Sequence, residues 1–217
     1  MSEILDCGDL TNRPMAITAA ARAVRSGAVV VLPTDTLYGI GADAFNSSAV
    51  ASVLAAKGRG RDMPVPVLVG SWSTIDGLVS FVPSVLRELI EAFWPGGLTV
   101  VVEHAPSLAW DLGDARGTVA VRMPLHPIAL DLLAETGPMA VSSANVTGQP
   151  PAVTAQQAYA QLGEAVSVYL DGGEAPIGQP STIVDLTGEV PTVLREGAIS
   201  LAALRSVVPA VEPSRVG

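Results

Sequence analysis

Three cations within five residues, Lys57, Arg59 and Arg61, separated by single glycines, are the densest positive charge in a chain that is otherwise acidic. Lysine occurs once, at Lys57, in a total of 12 Lys and Arg against 21 Asp and Glu, giving a formal net charge of -9. Glycine lets backbone approach a ligand closely, and arginine forks onto phosphate oxygens. The cluster therefore points to local recognition of an anion, with phosphate the first candidate. The overall charge argues against broad, nonspecific nucleic-acid binding, which needs an extended basic face. The alternative for the three cations is a solvated helix end, where positive charge favours the dipole. A phosphate there gains nothing from that dipole, so the side chains themselves would have to bind it.

Other chemistry-bearing residues lie on either side in sequence. Thr34, Asp35 and Thr36 put three side-chain hydrogen-bonding groups in a row, followed by Tyr38, Gly39 and Gly41, which is more than a turn requires. GIGADA (39–44) matches the dinucleotide fingerprint G-x-G-x-x-A in form, but six residues separate it from the preceding apolar run, and the acidic Asp62 falls in the cationic segment. Ser142, Ser143, Ala144 and Asn145 follow a short apolar run, the place where open α/β sheets put their ligands. A nucleophilic serine needs a G-x-S-x-G elbow and a base, and neither is visible. His104 and His126 each stand near a proline and read as surface or loop residues. Cys7 is the sole cysteine, which rules out an intrachain disulfide and a cysteine-based metal cluster. No carboxylate pair announces a fixed metal site.

These residues need a scaffold, and the hydrophobic pattern describes one. Residues 28–32 form a continuous apolar run, the pattern of a strand buried on both faces. Residues 33–41 read as a loop, and Asn46 or Ser47 caps a helix that ends at the cations. Residues 65–69 read as a strand whose two prolines suggest an edge or a late start. Helices are expected from Pro14 towards Gly27, over 73–81, 83–93 and 127–135, from Thr154 to 162 and from Ser200 to 207. Further strands are expected at 4–7, 98–103, 118–123, 139–141 and 166–170, with a hairpin over 181–195. The expectation is an α/β chain: one domain over 1–217 with a core at about 14–207, a twisted mixed sheet with flanking helices, and no extra C-terminal domain. The first residues lack the plan of a signal peptide, and no apolar run reaches the ~18 residues of a membrane span, so a cytoplasmic protein is expected.

Seven segments taken together resemble one family, the YrdC-like, or TsaC-type, threonylcarbamoyl-AMP synthases. They are PTDTLYGIGADA (33–44), the K-x-R of Lys57 and Arg59, FWPGGLT (93–99), TVAVRMPLHP (118–127), SSAN-x-x-G (142–148), STIVD (181–185) and LREGAIS (194–200). The resemblance implies an open, YrdC-like α/β fold. It also implies a reaction joining L-threonine, bicarbonate or CO2 and ATP into L-threonylcarbamoyladenylate with release of pyrophosphate. A downstream tRNA threonylcarbamoyl transferase machinery then uses the adenylate, so tRNA is at most an indirect partner, and magnesium travels with ATP.

On the same resemblance Thr34, Thr36, Arg122, Ser143 and Ser181 surround threonine. Lys57, Arg59, Arg61, Thr118, Asn145 and Arg195 meet ATP, with Lys57 and Arg59 closest to the chemistry. Arg61 enters this set because many relatives carry lysine where Met63 stands, and Arg61 could compensate for that loss. Many relatives also have proline at Gly60, Gly97, Ser142 and Glu196. Two competing readings are a non-catalytic nucleotide- or RNA-binding member of the same fold, and a carbamoyl-transfer module of the kind found in longer hydrogenase maturation enzymes.

Overall fold

The computed structural model describes residues 2–214. The chain begins with β1 (Glu3–Asp6), α1 (Arg13–Arg25), β2 (Val30–Leu32), β3 (Gly39–Asp43), α2 (Ser47–Lys57) and β4 (Val67–Leu68). It continues with α3 (Ile75–Leu78), α4 (Ser84–Phe93), β5 (Leu98–Glu103), β6 (Thr118–Arg122), α5 (Pro127–Thr136) and β7 (Met139–Ser143). The last elements are α6 (Ala155–Leu162), β8 (Val168–Asp171), β9 (Thr182–Asp185), β10 (Thr192–Arg195), α7 (Leu201–Val207) and β11 (Glu212–Pro213). All these strands join one sheet in the order β1-β8-β2-β3-β7-β4-β6-β5-β9-β10-β11. It is mixed: β2 with β3 and β5 with β6 run antiparallel, while β1 with β8 and β5 with β9 run parallel.

The period-two alternation of a strand explains how helices cover this sheet. Val30 and Leu32 pack with Ile17, Ala21 and Val24 of α1 and Leu132 of α5, whereas Val29 and Val31 pack with Ala49 and Val53 of α2 and Ala158 of α6. Both faces of β8, β2 and β3 are thus buried, which is why 28–32 is apolar without interruption. In the other half Leu98, Val100, Val102, Val119, Val121 and Val184 pack with Leu86, Leu89 and Ile90 of α4 and Leu204 of α7. The intervening residues Thr99, Val101, Thr118, Ala120 and Ile183 face the opposite way and line a cavity. Among the described residues no helix covers them there.

Local chemistry sets the element ends. The Asn46 side chain accepts from Ala49 N, Thr154 from Gln157 N and Ser200 from Ala203 N, each capping its helix as expected. Gly58 ends α2 in the left-handed conformation.

Three expectations change. Residues 39–43 are a strand, not the end of a loop: β3 returns antiparallel to β2 and pairs on its other side with β7. A Cβ on Gly39 would lie 2.5 Å from Val141 Cγ1, and one on Gly41 2.6 Å from Val141 Cγ2. Both glycines make room for that valine inside the sheet. Residues 65–69 start late, as the prolines imply, but β4 lies between β7 and β6 and is not an edge. The helix expected over 73–81 reduces to a 3-10 turn (Trp72–Thr74) followed by α3.

Candidate active site

The uncovered face of β5, β6 and β9 forms the floor of a cavity of about 520 Å³. Its polar lining includes Thr34, Thr36, Arg59, Thr99, Thr118, Arg122, Ser142, Ser143, Ser181 and Arg195. The K-x-R segment, the β7 end, the 33–38 loop and the late hairpin, far apart in sequence, therefore meet at one place.

Arg122 is the most buried charge of the site. Its Nη2 donates to Asp35 Oδ1 at 2.6 Å, its Nη1 to Thr36 Oγ1 at 2.7 Å and its Nε to the Gly96 carbonyl at 2.9 Å. Three of its five N–H groups are thus held by protein, and two remain for a ligand. Burial lowers its pKa from the ordinary value, and Asp35 opposes that shift. Asp35 also accepts from Leu125 N, while its Oδ2 is buried without a partner. The Thr34 hydroxyl donates to the Leu37 carbonyl and accepts from Thr36 N and Leu37 N, fixing the turn that presents Thr36.

Arg59 donates to Ser142 Oγ at 3.1 Å and to the Pro64 carbonyl at 3.3 Å, and its Nε is buried with no partner. Arg195 reaches the Ser181 carbonyl through Nε and Nη2, at 3.1 and 2.7 Å, and the Ser181 hydroxyl shares a 2.8 Å hydrogen bond with Thr99. Burial lowers the pKa of Arg195, and repulsion from Arg59 lowers it further. Repulsion from Arg195 likewise adds to the lowering at Arg122. Arg59 thus repels Arg195 and Arg195 repels Arg122 around a cavity whose lining, among the described residues, contains no carboxylate. An anion placed between them relieves the repulsion.

Three of the residues expected to meet ATP lie outside the cavity lining. Lys57 is 2% exposed and lies outside the cavity lining. Its ammonium donates to the carbonyls of Ser143 and Asn145 at 2.5 and 2.8 Å, with Asn145 Oδ1 at 3.4 Å. The end of α2 runs against the sheet, so the side chain inserts behind the 143–147 loop and not into the cavity. Burial and the neighbouring Arg59 press its pKa down to about 8. Asn145 is also behind the wall: its amide donates to the Val146 and Gln149 carbonyls, bracing the same loop. Arg61 points to the outer surface, where Asp111 and Asp114 engage it. His126, expected at the surface or in a loop, precedes α5 but is buried, with its pKa lowered by burial.

The sequence marked Asp35 and Ser142 as chemistry-bearing without giving either a partner, and it did not mark Thr99. Asp35 sits between the two noted threonines, and its place as counter-ion of Arg122 needed the fold. Ser142 supplies the hydroxyl that holds Arg59. Thr99 could have been found from alternation, since it shares a face with Val101.

The family model for Sua5, YciO and YrdC, described as telomere recombination, matches residues 22–197. The chain belongs to the Sua5/YciO/YrdC family. It is 61% identical over 208 residues to a Mycobacterium tuberculosis protein given the name threonylcarbamoyl-AMP synthase provisionally, a match covering 96% of each chain. It is 37% identical to the Bacillus subtilis threonylcarbamoyl-AMP synthase, covering 91% of this chain and 58% of that protein. The crystal structure of Pyrococcus abyssi Sua5 complexed with L-threonine superposes with a TM-score of 0.94 at 33% identity, over 98% of this chain and 63% of that one. Against these last two relatives the chain spans about three fifths of their length. The fold expectation of a YrdC-like mixed sheet with flanking helices is borne out by this match.

Proposed function

We propose that the chain is an L-threonylcarbamoyladenylate synthase, a nucleotidyltransferase that makes threonylcarbamoyl-AMP and pyrophosphate from L-threonine, bicarbonate or CO2 and ATP. The observation that carries this reading is the cavity ringed by Arg59, Arg122 and Arg195 and by hydroxyls, with one buried carboxylate held behind Arg122. The P. abyssi relative solved with L-threonine and the synthase names of the relatives support the same reading.

The reaction suits such a lining. The neutral amine of threonine adds to CO2 and releases a proton, or condenses with bicarbonate and loses water that carries the proton away, and either route leaves a carbamate. A carbamate oxygen then attacks the α-phosphorus of ATP, and the bond to the bridging oxygen breaks as pyrophosphate departs. No protein nucleophile is required. The protein must hold several anions in line and stabilise charge as it moves to the leaving group.

Arg122, with two free N–H groups beside the Thr36 hydroxyl, is placed for a carboxylate such as that of threonine. Thr34, bonded to Thr36, stands at that end, and Ser143 and Ser181, which line the same cavity, complete the threonine site in this reading. Arg59 and Arg195 face the phosphates, and Thr118 lies on the floor between the loops. Lys57 and Asn145 act from behind by holding the 143–147 loop in shape. Magnesium enters with ATP as part of the substrate, carried on phosphate oxygens. A downstream threonylcarbamoyl transferase acting on tRNA consumes the adenylate. No helix among the described residues is long and apolar enough to cross a membrane, and a cytoplasmic site of action fits these substrates.

Incubating the protein with ATP, L-threonine and bicarbonate tests the reading. Threonine-dependent pyrophosphate and a threonylcarbamoyl-adenylate product are expected. Nucleotide binding by folded protein without any pyrophosphate would favour a non-catalytic member of the fold. Arg59→Ala should lower turnover by at least ~100-fold, the scale of losing one transition-state charge partner.

A further inference from the structure

One wall of the cavity is made by two loops. Loop 58–65 supplies Arg59, Pro64 and Val65, and loop 111–118 supplies Leu112, Ala115 and Thr118. They dock backbone to backbone: Val65 N donates to the Leu112 carbonyl at 2.9 Å and Asp114 N to the Arg61 carbonyl at 2.8 Å. Gly113 has φ +107°, and a Cβ there would lie 2.8 Å from the Arg61 carbonyl oxygen, so this approach requires glycine. On the outer side the Arg61 side chain closes the junction. Its Nη2 and Nη1 fork onto Asp111 Oδ1 and Oδ2 at 2.7 and 3.1 Å, and its Nε lies 3.5 Å from Asp114 Oδ1.

We propose that Arg61 is a positioning residue for nucleotide binding: through Asp111 and Asp114 it clamps loop 111–118 onto loop 58–65, fixing Thr118 relative to Arg59 without touching the ligand. The inference rests on reading the cavity as an ATP site. It replaces the direct phosphate contact expected of Arg61 with an indirect one. An exposed ion pair contributes little alone, but a two-pronged arginine shared by two carboxylates lies at the upper end of that range, so an effect of about fivefold on ligand binding is expected.

The test combines steady-state kinetics with hydrogen–deuterium exchange on the wild type, Arg61→Ala, Arg61→Lys, Asp111→Asn/Asp114→Asn and the charge swap Arg61→Asp/Asp111→Arg. The clamp predicts that Arg61→Ala and the double Asn variant each raise KM for ATP about fivefold, with kcat and KM for threonine changed less than about twofold. Arg61→Lys should fall between, and the charge swap should move KM back towards the wild type. Exchange at the Asp114 amide and across 112–118 should quicken in both disrupted variants. A raised KM in Arg61→Ala alone, with the double Asn variant normal and exchange unchanged, would mean that Arg61 meets the nucleotide directly and would overturn the proposal. A normal KM in Arg61→Ala would overturn it as well. If the wild type releases no threonine-dependent pyrophosphate, the functional reading fails separately, and unchanged exchange in every variant would still count against the clamp.

Discussion

The two halves of the sheet use strands in opposite ways. In the half built on β8, β2 and β3, α1 and α5 cover one face and α2 and α6 the other, so Val29, Val30, Val31 and Leu32 are all buried. In the β6-β5-β9 half only one face has helices, and the other carries Thr99, Thr118, Arg122 and Ile183 into the cavity. The first half is scaffold, and the second is scaffold on one face and site on the other. Polar residues among the alternate positions of a strand, Thr99 in β5 and Thr118 and Arg122 in β6, therefore mark the site face here, and the unbroken apolar run of β2 marks scaffold.

The largest expected effect falls where the open face holds buried charge. Arg122→Ala leaves Asp35 buried and unpaired, and equilibrium unfolding should show a loss of about 3–5 kcal/mol together with loss of threonine-dependent turnover. Arg122→Lys keeps the charge but not the fork, so it should recover some stability and little activity.

Next comes Lys57, buried behind the wall between the two halves. Its pKa is lowered from 10.5 to about 8 in the folded protein. Between those values the folded chain has already released a proton that the unfolded chain still holds, so stability rises with pH across that window. Comparing urea unfolding of the wild type with Lys57→Met from pH 7 to 10.5 should show the wild type gaining on the order of 2 kcal/mol relative to the variant across the window, whatever Cys7 and Tyr38, whose folded pKa values are raised, contribute to both curves. Parallel curves for the two proteins would remove the buried ammonium as its source.

A smaller effect separates packing from phosphate binding in β3. Gly39→Ala should destabilise by about 1–3 kcal/mol through its clash with Val141. Combining it with Val141→Ala should cost less than the sum of the two single changes. A purely additive result, with KM for ATP raised, would give this glycine a ligand-facing role in place of the packing one.

Much of this arrangement was legible locally. The alternation of Thr118, Val119, Ala120, Val121 and Arg122 already separates core from cavity, and the caps at Asn46, Thr154 and Ser200 sit where their residue types demand. What could not be read depended on distant partners. Gly39 and Gly41 look like a ligand loop until Val141 is placed beside them. Lys57 looks like a free cation at a helix end until its acceptors, 86 and 88 residues away, are known. Arg61 looks like its neighbour Arg59 until Asp111, 50 residues on, is seen to hold it. A run of like residues at one helix end thus splits into three roles, cavity, brace and clamp, because each side chain leaves the backbone towards a different neighbour.

Filling the open face tests the central claim most directly. Ala120 lies on the cavity floor, paired with Val101, and its side chain is not part of the packed core. Ala120→Trp should fold with stability within about 1 kcal/mol of the wild type, as expected for a position outside the core. It should release no threonine-dependent pyrophosphate. A folded Ala120→Trp protein with full turnover would show that threonine and ATP meet somewhere other than this face.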